Sequence, residues 1–145
     1  MDYTVSTVLK HKGFAVVTVR SEQPISSVAR TLSQHRIGAA PVIDSQGHLV
    51  GIISERDIVR GFSEIGESAL AVPAHHLMTR EVLTCSLEEK LVDLMRVMTL
   101  QRVRHLPVLR DGALAGIVSI GDVVKQRLGE LQNEVETLND YLRSP

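Results

Sequence analysis

The chain has 145 residues, of which 43% are hydrophobic and 23% are charged. This composition excludes a disordered chain and allows one compact domain or two very small ones. A net charge of −1 disfavours a duplex nucleic-acid binder, and the single cysteine, Cys85, excludes a disulfide framework and a CxxC-type zinc or redox site.

The aliphatic residues dominate the candidate core, with 19 Val, 17 Leu and 9 Ile against two Phe, two Tyr and no Trp. Valine in this excess favours buried strands over an all-helical bundle. The first residues, MDYTVSTVLKHKG, lack the long apolar core of a signal peptide, and no apolar run approaches 18 residues. We therefore predict a soluble, cytoplasmic protein that makes no membrane contact.

The first half of the chain predicts a β-α-β-β-α unit. A short apolar strand at 15–19 precedes a helix whose apolar residues follow the i, i+3, i+4, i+7 spacing, namely Ile25, Val28, Ala29 and Leu32. Strands at 41–43 and 49–53 then flank a glycine-containing turn at 45–47, and a second helix begins after Ser54.

The second half repeats this order after a linker at 61–79, which contains Gly66 and Pro73 and carries a short helical piece. The second unit has a strand at 82–85, strands at 107–109 and 114–118, and a final helix after Ser119. Its first helix shows the same apolar stripe, formed by Leu91, Leu94, Met95 and Met98.

An internal repeat explains this order. Residues 18–60 and 84–125 align at an offset of 66, which drops to 65 after the turn, and they pair Pro41 with Pro107 and Asp57 with Asp122. A unit of about 65 residues is too small for a comfortable core of its own. We therefore predict an α/β fold in which two β-α-β-β-α repeats, related by a pseudo-twofold axis, pack through small sheets.

The predicted organisation is a first repeat at 5–62, a linker at 63–75, a second repeat at 76–128 and a C-terminal amphipathic helix at 129–145. The last helix carries an a/d heptad stripe of about three heptads, formed by Val124, Leu128, Leu131, Val135, Leu138 and Leu142. This stripe fits two alternatives equally well, a helix lying on its own domain or a helix pairing with a second subunit.

Two segments carry a family resemblance, QHRIGAAPVIDSQGHLVGIISERDIVR and QRVRHLPVLRDGALAGIVSIGDVVK. Residues 5–128 resemble the cystathionine-β-synthase (CBS) domain family in its stand-alone tandem form, the Bateman module. The resemblance implies a non-enzymatic, homodimeric sensor that binds an adenine nucleotide (AMP, ADP, ATP or NAD(H)) in clefts between the repeats; some such modules bind S-adenosylmethionine. It names no catalytic cofactor, and it leaves the regulated partner protein open.

The Ser-x-x-Asp motifs at Ser54–Asp57 and Ser119–Asp122 have two interpretations. Serine followed by an acid three residues later is a helix capping box. The family resemblance instead implies that each aspartate accepts hydrogen bonds from the two hydroxyls of a ribose, with the serine beside it.

The segments before the two prolines differ between the repeats. Gly38, Ala39, Ala40 and Pro41 leave room for a flat base, although tight helix–strand packing would also explain them. Arg104, His105, Leu106 and Pro107 are bulkier and more basic, which predicts two unequal clefts. The resemblance places the base near these segments and near the first strand of each unit, at Gly13, Val16, Thr79 and Val82.

Phosphate groups require cations, and five basic residues are candidates, namely Arg36 and Arg102 at one repeat position, together with Lys12, Arg56 and Arg104. Each could equally be a solvated surface residue.

His75 and His76 lack a second ligand pair for zinc, and no sequence motif pairs a nucleophile with a base. The alternative function is a protein-interaction or single-stranded nucleic-acid module with empty clefts, although four aromatic residues offer little stacking.

Overall fold

The computed structural model describes residues 3–144. Its elements in chain order are α1 (Val5–Lys12), β1 (Val19–Arg20), α2 (Ile25–His35), β2 (Ala39–Ile43), β3 (Leu49–Ser54), α3 (Glu55–Ile65), a 3-10 helix (Gly66–Leu70), α4 (Ala74–Leu77), β4 (Cys85–Ser86), α5 (Leu91–Gln101), β5 (His105–Arg110), β6 (Ala113–Ser119) and α6 (Ile120–Arg143). None of the helices within residues 3–144 is long and apolar enough to cross a membrane.

Two small sheets with the same topology confirm the predicted α/β repeat. In the first sheet β1 runs parallel to β2 and β2 is antiparallel to β3; β4, β5 and β6 form the second sheet in the same way. Each antiparallel pair is joined by a tight turn in which a glycine has a positive φ, 84° at Gly47 and 80° at Gly112. Side chains with a Cβ atom rarely adopt this conformation, so glycine favours the turn in both units.

The amphipathic helices pack on these sheets as their spacing predicts. The buried face of α2 consists of Ile25, Val28 and Leu32, and that of α5 consists of Leu91, Leu94 and Met98. Each helix ends at an arginine in the left-handed conformation, because a residue with positive φ turns the chain back toward the next strand. Arg36 and Arg102 therefore have a backbone role at these two helix ends.

Each unit contributes a segment to the core of the other. Val5, Val8 and Leu9 of α1 are buried in the second unit's core, and Ala74 of α4 is buried in the first unit's core. Backbone hydrogen bonds fix both exchanges, with Val5 N at 2.9 Å from the Glu89 carbonyl and Ala74 N at 2.8 Å from the Gln23 carbonyl. The two units are therefore interlocked, and the predicted boundaries at 62 and 76 cut through residues that share a core.

The first strand of each unit is shorter than predicted. Pairing is limited to Val19 and Arg20 in β1 and to Cys85 and Ser86 in β4. The preceding residues cross from a helix packed on one unit to the sheet of the other, so they cannot stay in register with β2 or β5. Cys85 is a core residue as predicted; burial, followed by the charge of Glu89, raises the pKa of its thiol to about 12.

Helix α6 extends beyond the second unit. Its first turns pack against the body through Val123 and through Glu130, which is buried and pairs with Arg127. From Leu131 to Arg143 every residue is exposed. The apolar stripe predicted from the heptad spacing is therefore uncovered along the second half of the helix.

Candidate ligand-binding cleft

A cavity of about 360 Å³ lies between the two units, next to the start of α3. It gathers ten of the predicted site residues from both repeats, namely Gly38, Ala39, Ser54, Arg56, Asp57, Thr79, Val82, Arg102, Arg104 and His105. The first unit supplies one wall and the second unit the other. We name this cavity the Asp57 cleft.

Asp57 is held at the first turn of α3 by a capping box. Ser54 Oγ accepts a hydrogen bond from Asp57 N at 3.3 Å, and Ser54 N donates to Asp57 Oδ2 at 2.9 Å. The other carboxylate oxygen, Oδ1, accepts a hydrogen bond from Arg60 at 2.5 Å. Asp57 is only 5% exposed, while the Arg60 side chain that contacts Oδ1 is 59% exposed.

The capping interpretation of the Ser-x-x-Asp motif is therefore correct for the isolated chain. It does not exclude a second role, because Oδ2 makes the cap and Oδ1 makes the outward contact. A negative charge in the first turn also complements the dipole of α3.

The small-residue segment brings the two units close together. An added Cβ on Gly38 would lie 3.6 Å from Cε1 of His105, which is ordinary contact distance, so little more than one methyl group fits between them. Burial, followed by the positive charge of Lys12, lowers the pKa of His105 and so favours its neutral form. It therefore offers the cleft a hydrogen-bonding group without adding charge.

Arginines dominate the charge of the Asp57 cleft. Its walls carry four basic side chains, Arg56, Arg60, Arg102 and Arg104, and three acids, Glu55, Asp57 and Glu81. Arginine forms bidentate hydrogen bonds with phosphate, so this concentration favours an anionic ligand.

The equivalent position in the second repeat is arranged differently. Asp122 has the same capping box with Ser119, but its Oδ2 also lies 2.7 Å from Nζ of Lys12. The same Nζ donates to the Ile117 carbonyl at 3.0 Å. Burial opposes ionisation of Asp122, yet the hydrogen bonds from Lys12 and Ser119 outweigh it and hold the pKa of this carboxyl below its usual value.

The other predicted residues lie outside the Asp57 cleft. Gly13 ends α1, Val16 precedes β1 and Arg36 ends α2, whereas Ala40, Pro41, Leu106 and Pro107 are buried in β2 and β5. Six further residues line the cleft and were not predicted from the sequence, namely Ile52, Glu55, Arg60, Glu81, Leu83 and Val103. The spacing from Asp57 could have indicated Arg60, because residues three apart on a helix are neighbours.

Metal binding finds no support in the side-chain arrangement. Within residues 3–144, no three His, Cys, Asp or Glu side chains cluster so that they could hold a metal ion. His75 and His76 lie next to each other on α4, with ring centroids 5.9 Å apart.

Comparison with known proteins agrees with the duplicated fold. The sequence profile of the CBS domain matches residues 12–64 and 74–129. The chain therefore belongs to the CBS-domain family and consists of a tandem CBS pair.

Several proteins resemble it over most of its length. The CBS domain-containing protein CBSX3, mitochondrial, of Arabidopsis thaliana is 34% identical over 148 residues, covering 97% of this chain and 72% of the relative. The crystal structure of a CBS-domain containing protein from Agrobacterium tumefaciens is 43% identical, with a TM-score of 0.83, and the match covers 86% of this chain and 98% of that one.

One similar structure contains adenosine ligands. The CBS domain pair of protein MJ0100, in complex with 5′-methylthioadenosine and S-adenosyl-L-methionine, is 26% identical, with a TM-score of 0.80. The match covers 90% of this chain and 99% of that chain.

Proposed function

We propose that this protein is a non-enzymatic regulatory module that binds an adenine nucleotide, AMP, ADP, ATP or NAD(H), in the Asp57 cleft. The observation that carries the proposal is one cavity that combines a small-residue wall, an aspartate and four arginines. Binding of adenosine ligands by the CBS pair of MJ0100 supports the adenosine part. The arginines favour a ligand that carries phosphate.

Each part of the ligand has a matching surface. The base lies in the cavity beside Gly38 and Ala39, which add no long side chain to this wall, and away from the close contact between Gly38 and His105. The ribose hydroxyls donate to Asp57 Oδ1 after Arg60 swings outward, and Arg60 then joins Arg102 at the phosphates. Hydrogen bonds from the ribose hydroxyls then replace the one from Arg60, so the buried carboxylate keeps its hydrogen-bond partners.

Regulation follows from the shared walls of the cleft. A ligand that contacts both the start of α3 and the segment at 102–105 links the two units. It favours the relative arrangement of the units in which it can make both contacts at once. A partner protein that binds this arrangement preferentially would respond to nucleotide concentration. The cytoplasmic location stays a prediction.

Calorimetric titration tests the proposed function. We expect AMP, ADP, ATP or NAD(H) to bind more tightly than adenosine, because adenosine lacks the phosphate that the arginines contact. The variant Arg102→Gly should reduce this preference while preserving the left-handed turn at the end of α5, and Arg36→Gly is its matched control at the end of α2. Equal affinity for adenosine and the nucleotides contradicts the phosphate assignment; strongly salt-dependent binding of single-stranded RNA without nucleotide binding favours the alternative function.

We further propose that the uncovered stripe of α6 forms a homodimer with a second copy of this chain. Four of its apolar side chains, Leu128, Val135, Leu138 and Leu142, are 55 to 70% exposed, and an apolar seam of this length favours burial against another helix.

Sedimentation velocity tests the dimer. The variant Leu131→Gln/Leu138→Gln, or truncation after Lys125, should shift the protein from dimer to monomer at micromolar concentration. Asp140→Asn, on the opposite side of the heptad, is the control and should remain dimeric. A wild-type monomer at micromolar concentration contradicts this proposal.

A further inference from the structure

The surroundings of Asp57 and of its counterpart Asp122 are formed by different contacts in the two repeats. At the Asp57 cleft, the backbone of Ile52 pairs with the backbone of Thr79, at 3.0 Å and 2.9 Å, and the cavity beside it stays open. In the second repeat the equivalent residue is Ile117, and its carbonyl accepts a hydrogen bond from the Lys12 side chain at 3.0 Å. The same ammonium group contacts Asp122, the counterpart of Asp57.

A difference in helix length produces this asymmetry. Helices α1 and α4 begin at equivalent places, since Thr4 forms an isolated bridge with Lys90 and Pro73 forms one with Pro24. However, α1 has 8 residues and α4 has 4. The additional turn of α1 carries Lys12 as its last residue, and this turn brings the ammonium group over the start of α6.

The contact of Lys12 differs in kind from that of Arg60. Arg60 belongs to the same helix as Asp57, so their ion pair lies within one unit, and the Arg60 side chain is 59% exposed. Lys12 comes from a different element, 110 residues away in sequence, and joins the Ile117 carbonyl to the Asp122 carboxylate. Its side chain is 35% exposed and Asp122 is 26% exposed, so the pair is partly shielded from water.

We propose that Lys12 takes the place of a ligand at Asp122, the counterpart of Asp57, and thereby excludes nucleotide from Asp122 and limits each chain to one adenine nucleotide. The ammonium group donates a hydrogen bond to the carboxylate that would otherwise bind the ribose hydroxyls. Its positive charge balances that carboxylate when no ligand is bound. Lys12 is thus a specificity-determining residue that sets the stoichiometry. The stoichiometry rests on the proposed function, whereas the contact between Lys12 and Asp122 does not depend on it.

Calorimetric titration with ATP tests the stoichiometry. We expect one ATP per chain for the wild type and two for Lys12→Met, which keeps the length of the side chain but removes its charge. The double variant Lys12→Met/Asp122→Ala should return to one ATP per chain. Lys10→Met, an exposed lysine on the same helix, is the matched control and should bind one.

A measurement without ligand separates this inference from the proposed function. In a carbon-13 NMR titration, Lys12→Met should raise the pKa of the Asp122 carboxyl, and Lys10→Met should leave it in place; His105 is the other titrating group near this pair. An unchanged pKa in Lys12→Met overturns the inference. Two ATP bound to the wild type, or no more ATP bound to Lys12→Met than to the wild type, also overturns it. A wild type that binds no ATP, beside a Lys12→Met that binds one, overturns only the proposed function of the Asp57 cleft.

Discussion

Replacing Asp57 with asparagine should weaken nucleotide binding by about 10- to 100-fold. A hydrogen bond to a charged group contributes roughly 1.5–3 kcal/mol when it is desolvated, and continued hydration of the ribose offsets part of this energy. Asp57 is 5% exposed, so its contact with a ribose would be largely shielded from water. Affinity for ATP, measured by calorimetry, is the direct readout.

The same substitution should also lower stability, because Asp57 completes the capping box of α3. A loss of about 0.3–1 kcal/mol in the free energy of unfolding is expected when the first turn of a helix loses its negative charge. Asp122→Asn is the comparison variant for this loss of stability, since Asp122 has the same capping box and also forms one ion pair. If Asp57→Asn lowers the melting temperature but binds ATP within twofold of the wild type, Asp57 is only a cap.

Truncating Leu9 to alanine should destabilise the protein by about 2–5 kcal/mol, the range observed for buried leucines. Leu9 is fully buried in the core of the second unit. It lies directly against Gly116 of β6, where an added Cβ would be 2.7 Å from Leu9 Cδ1. Because glycine has no side chain that could fill the space, the truncation leaves a cavity between α1 and β6.

This contact allows a double-mutant test of the exchange between the units. Gly116→Ala alone should destabilise the protein by overpacking. The double variant Leu9→Ala/Gly116→Ala should lose less unfolding free energy than the sum of the losses in the two single variants. Lys10→Ala, on the exposed side of the same helix, is the control and should change the unfolding free energy little. Strictly additive effects in urea denaturation would show that Leu9 does not pack on the second unit.

Most of the fold could be predicted from the sequence because it depends on local patterns that occur twice. Apolar spacing in α2 and α5, glycine at the two turns and the Ser-x-x-Asp helix starts each specify their element from neighbouring residues. The repeat also drew attention to residues from both halves of the chain, such as Asp57, Thr79 and Arg102, which line one cleft. Helix α1 was not predicted, since it contains few apolar residues and these do not form a complete periodic stripe.

The tertiary structure decided how the units exchange segments and how the surroundings of Asp57 and Asp122 differ. Nothing in the local sequence shows that Leu9 lies in the core of the second unit, because the contact joins residues more than 100 positions apart. Lys12 was a candidate phosphate ligand from its charge alone; the fold instead places it 2.7 Å from Asp122. A sequence repeat makes Asp57 and Asp122 equivalent, whereas the long-range position of one lysine makes their surroundings different, since an ion pair depends on distances that only the folded chain fixes.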